Sequence, residues 1–79
     1  MQINLLEIIK TLPVDNFTDI GYIVTFSRIL EYLALYHGMD NQDILCIELN
    51  KLAKNNLIKI HHAFDNNDET DVIIGVSLK

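Results

Sequence analysis

Ile20 to His37, IGYIVTFSRILEYLALYH, is the stretch whose reading decides the fold. On a helix of about 3.6 residues per turn, Tyr22, Ile23, Phe26, Ile29, Leu30, Leu33, Ala34, Tyr36 and His37 fall on one broad arc. Gly21, Thr25, Ser27, Arg28 and Glu31 occupy most of the other side, with Val24 and Leu35 intruding there. An apolar arc wider than about 100° marks a helix covered by neighbours on more than one side, so other elements are expected to pack onto this one. The opening GYIVTF admits a second reading, because β-branched and aromatic residues also suit a strand. The stripe running on through Leu33 and His37 favours the helix.

Upstream, residues 3–12 place Leu5, Ile8, Ile9 and Leu12 on one helical face, and Pro13 ends the pattern. A helix this short must dock on something to persist. Leu6 lies off that face and is open to a second chain. Residues 13–19, PVDNFTD, read as a loop, with Thr18 or Asp19 as an N-cap and Phe17 as a hydrophobic staple.

Downstream, Gly38 stands where a left-handed helix cap is expected. Asp40 or Asn41 caps a further helix over 42–55, QDILCIELNKLAKN. Leu45, Leu49, Leu52 and Ala53 share its inner face, and Lys51 and Lys54 lie near the end that attracts cations. The last segment changes period. LIKIHHAF and VIIGVSL both alternate, predicting a β-hairpin that buries Ile58, Ile60, Val72, Ile74 and Val76. DNNDETD between them is expected to be a long polar loop.

The chain of 79 residues reads as one domain, 1–79, with an apolar share of 49%. Six Lys and Arg against eleven Asp and Glu leave a net charge of −5, which repels phosphate backbones and anionic membranes. Cys46 is a single cysteine, so no internal disulfide forms and a reducing compartment, the cytoplasm, is expected. The N-terminus lacks the basic start of a secretory signal, and no apolar run approaches the roughly 18 residues of a membrane span.

Leu49-Asn-Lys-Leu52-Ala-Lys-Asn-Asn56-Leu57-Ile58 resembles the end of the recognition helix in winged helix-turn-helix domains. Those commonly read Leu-x-x-Leu-x-x-x-Gly-Leu-Ile before entering the wing. Asn56 stands at the glycine position, and Asn is the next best residue for a left-handed cap. The likeness covers residues 20–79 and implies a small α+β winged-helix-like domain, three helices followed by a C-terminal β-hairpin. The chain departs from the family in its long second helix and in lacking a visible small first strand. DNA binding, which the family often performs with its third helix and wing, fits poorly. Its reading positions fall on Ile44, Ile47, Lys51 and Lys54, with no Arg on that helix, and its wing tip carries Asp65, Asp68, Glu69 and Asp71.

Chemistry-bearing motifs are missing from the sequence. His61 and His62 are neighbours that face opposite ways on a strand, and neither they nor His37 and Cys46 show metal-ligand spacing. Asp65, Asn67 and Glu69 offer oxygens like the start of a calcium loop, without its central Gly or its closing Glu, where Val76 stands. Cys46 has no base nearby in sequence, and Ser27 and His37 lack a nucleophile context. Lys51, Lys54, Lys59 and His61 make a small basic cluster.

The sequence therefore points to a non-catalytic regulatory module without cofactor or metal, acting through contacts with another protein or with its own copy. The expected surface is Ile44, Ile47, Lys51 and Lys54, with the acidic wing residues Asp65, Asp68, Glu69 and Asp71 as a further contact. Two alternatives stand beside it: a dimeric DNA-binding transcriptional regulator, and an acidic mimic that blocks a nucleic-acid-binding protein.

Overall fold

The computed structural model describes residues 4–18, 20–65 and 68–79. In chain order the elements are α1 (Leu5–Thr11), β1 (Asp15–Phe17), β2 (Gly21–Thr25), α2 (Phe26–His37), α3 (Gln42–Lys54), β3 (Ile58–Asp65) and β4 (Asp68–Leu78). The fold is α+β, as expected, with three helices beside an antiparallel sheet. The expected hairpin is present as β3–β4, but it is part of a four-stranded sheet ordered β1-β2-β4-β3. β4 lies inside that sheet, clasped by β2 on one side and β3 on the other.

The first correction concerns residues 20–26. Gly21–Thr25 is a strand and the helix begins at Phe26. Val24 pairs with Val76 and Thr25 with Gly75. Ile23 and Val24 are consecutive yet both buried, which a strand achieves by burying one on each face. Residues 13–19 are likewise not all loop. Asp15–Phe17 forms β1 and pairs with β2, with Gly21 at a φ of 97° after the turn. Thr25 is the N-cap of α2, its Oγ1 accepting the Arg28 N–H at 3.3 Å. Thr18 is therefore not the cap, and Asp19 lies outside the described residues.

One apolar cluster holds the layers together: Leu5 and Ile9 from α1, Val24 from β2, Ile29 and Leu33 from α2, Leu45 and Leu49 from α3, Ile58 and Val76 from the hairpin. α1 docks through the face predicted for it. Leu6, off that face, is half-buried and packs against the cluster as well.

The second correction concerns the hairpin register. Ile60 faces Val76 and His61 faces Gly75, but His62 then faces Ile73, leaving Ile74 as an extra residue on β4. Such a bulge exchanges the two faces of the strand beyond it. Ile73 therefore packs against the core, and Val72 is 65% exposed. Ile74 is half-buried outside the core cluster. Ile58, Ile60 and Val76 face inward as expected, whereas Val72 and Ile74 do not. Truncating Ile74 will cost less than the ~2–4 kcal/mol of a core aliphatic.

The polar stretch 65–71 is shorter as a loop than its composition implies. Asp65 pairs with Asp68, and the Thr70 hydroxyl donates to the Ala63 carbonyl at 2.8 Å. Ladder bonds use backbone groups only, so acidic residues can occupy a strand when their carboxylates reach water. Asp68 and Asp71 are both exposed. Asn67, one of the calcium-loop oxygens considered above, lies outside the described residues.

Candidate protein-interaction surface

α3 begins where Asn41 accepts the N–H groups of Asp43 and Ile44, at 2.9 and 3.1 Å. A well-formed Gly38 cap sets its entry: φ is 64°, and the Met39 N–H reaches the Leu33 carbonyl at 3.1 Å. Its exit is fixed by Asn56, the left-handed residue at φ 60°, followed by a Leu57 N–H bond to the Leu52 carbonyl at 3.0 Å. Asn56 thus takes the left-handed conformation that ends the helix. With both ends held, Leu45 and Leu49 point into the core, with Leu52 and Ala53 packed against it.

The opposite face of α3 then follows from the turn of the helix. Ile47 is 56% exposed and Ile44 41%. Asp43, Asn50, Lys51 and Lys54 surround them and are exposed as well. Several polar groups here are engaged by the helix itself. Lys51 Nζ lies 3.4 Å from Glu48 Oε1, and the Asn50 amide donates to the Cys46 carbonyl at 2.8 Å. The four residues singled out on α3 therefore share one surface, apolar at its centre and basic toward the helix C-terminus.

The basic cluster read from the sequence is divided in space. Lys59 and His61 alternate with Ile58 and Ile60, which pack on the core, so they lie on the opposite sheet face. His61 Nε2 lies 3.0 Å from the Ser77 hydroxyl. Partial burial pushes the His61 pKa below its usual value, helped by the charges of Lys59 and His62.

Of the wing acids, Asp68 and Asp71 are exposed. Asp71 and Val72 border a groove of about 330 Å³ whose other walls include Phe26, Leu30 and Cys46. This groove was not legible in the sequence, because alternation alone does not show how β4 lies against α2 and α3. A second apolar surface lies on α2, where Leu35 and Tyr36 are 71% and 70% exposed. There Tyr36 stacks on Tyr32 with ring centres 4.7 Å apart, and Arg28 bonds Asp15 at 3.3 Å beside them. The periodicity placed Tyr36 and His37 on the buried arc; both are exposed.

Among the described residues no three His, Cys, Asp or Glu side chains gather as a metal site, and no helix is long and apolar enough to cross a membrane. No family model, curated protein or solved structure matches this chain.

Proposed function

We propose that the chain is a winged-helix-like regulatory module with no catalytic role, working in the cytoplasm through protein–protein contact at the outward face of α3. The observation that carries this reading is the exposure of Ile47 and Ile44 at the centre of a helix face whose own core stripe is complete without them. Exposed apolar residues with a charged rim fit a modest protein interface.

The winged-helix likeness is supported by two features. β2 supplies a small strand ahead of the second helix, and α2 is shorter than the periodicity implied, since its first turn and a half belongs to that strand. In that frame α3 occupies the recognition position and β3–β4 the wing. The residues placed there argue for a protein rather than a phosphate backbone. Asp43 stands on the same face, and Asp68 and Asp71 are exposed on the wing.

The test is a photo-crosslinking amino acid installed at position 47 in the cell of origin. Crosslinks to a polypeptide, absent when the probe sits at exposed Lys79 instead, are expected. Crosslinks to nucleic acid alone would transfer the reading to a DNA-binding regulator.

A further inference from the structure

The charges on the outward face of α3 are arranged about Ile47 as mirror opposites. Asp43 lies one turn before Ile47, Lys51 one turn after, and all three are exposed. A helix face with acid at one end, base at the other and an apolar centre is complementary to itself when turned end for end.

From this pattern we infer that the occupant of the α3 face is a second copy of this chain, in a two-fold dimer with the α3 helices antiparallel across Ile47. The inference rests on the proposed role of that face. Asp43, Ile47 and Lys51 form one i, i+4 ridge. Two such ridges lie alongside each other when helices cross at about −50°, the commonest class in globular proteins. Asp43 then meets Lys51 of the second copy, twice by symmetry. Ile47 meets its own copy at the axis, with Ile44 beside it. The antiparallel arrangement also sets the positive end of each helix dipole beside the negative end of the other. The Glu48–Lys51 pair is no obstacle, since an exposed i, i+3 pair holds Lys51 only weakly.

A parallel pairing is disfavoured by the same charges, because it sets Asp43 against Asp43 and Lys51 against Lys51. The face of a helix this long covers less than the roughly 1,600 Å² of a standard interface. The dimer is therefore a weak one, dissociating at roughly 1–100 µM.

Sedimentation of the full chain over a concentration series tests the inference. The parent is expected to pass from monomer to dimer in that range. Asp43→Lys and Lys51→Glu each place like charges at both symmetric contacts and should weaken self-association at least roughly tenfold. Mixed in equal amounts, the two variants have complementary contacts throughout. They are expected to form a heterodimer about as strong as the parent dimer. This last arm does not depend on the stability of either variant relative to the parent, provided both remain folded by circular dichroism. A parent that stays monomeric to roughly 1 mM, or variants that fail to recover association on mixing, would overturn the second-copy inference. The broader reading is judged separately: crosslinks from position 47 to a different polypeptide would leave α3 a docking face for another protein.

Discussion

A methyl group added at Gly75 would run into the Val24 carbonyl oxygen and lie 2.9 Å from the Thr25 Cα, both backbone atoms of β2. The Ile23 Cδ1 already stands 3.0 Å from the same point. Backbone in a paired strand cannot move aside without breaking the ladder that joins the two halves of the sheet. Gly75→Ala is therefore expected to destabilise by about 3 kcal/mol or more, the upper end of overpacking costs, read from urea denaturation. Loss of under 1 kcal/mol would place β2 and β4 further apart than described. His61 carries a different consequence. Its folded-state pKa is lowered, first by burial and then by Lys59 and His62. Below pH 6.5 the unfolded chain takes up a proton there more readily than the folded one does. The contribution of His61 to stability is thus fully present above pH 6.5 and is lost as pH falls through the folded-state pKa. Replacing it with Gln should flatten the acid side of the stability profile. Identical profiles for parent and variant would remove this account.

At the scale of elements, the β3–β4 hairpin offers a contrast between its two strands. Ile58→Ala, deep in the core, is expected to cost ~2–5 kcal/mol. Val72→Ala, on the far side of the bulge and largely exposed, should change stability by less than about 0.5 kcal/mol. Equal costs in thermal melts would mean that the strand alternates without interruption. Thr25→Ala removes the cap of α2 and should cost about 1 kcal/mol, while Thr25→Ser keeps it. These elements differ in how far the sequence announced them. α1 and α3 were legible because apolar periodicity, caps and stop residues agree. The outward placement of Ile44 and Ile47 followed from the same periodicity. β2 was not, because Tyr22, Ile23 and Phe26 continue the stripe of α2 backwards at helical spacing. The local signal that decides against it is Thr25, a capping residue inside the apolar run. β1 has only Asp15 to Phe17 to announce it, and it exists because β2 offers an edge to pair with. The bulge left no mark in the alternation, since Ile73 and Ile74 are equally apolar and either could have faced inward.

For the whole molecule the net charge of −5 and the exposed wing acids predict no tight binding to duplex DNA near physiological salt. Fluorescence anisotropy with labelled duplex is the measurement. Micromolar binding that weakens steeply with added salt and disappears in Lys51→Ala plus Lys54→Ala would contradict it. The position of β4 bears on how such a molecule comes into being. About fifty residues separate Val24 from the Val76 it pairs with, so β2 leaves the ribosome roughly 3–10 s before its partner at ordinary rates of synthesis. Throughout that interval β2 presents an open edge, joined near its end by β3, and the helices that have emerged have no completed sheet to lie on. Growing chains on crowded polysomes therefore carry the pairing surface that the finished sheet conceals, and the newborn protein is most vulnerable to proteases and to its own siblings in those seconds.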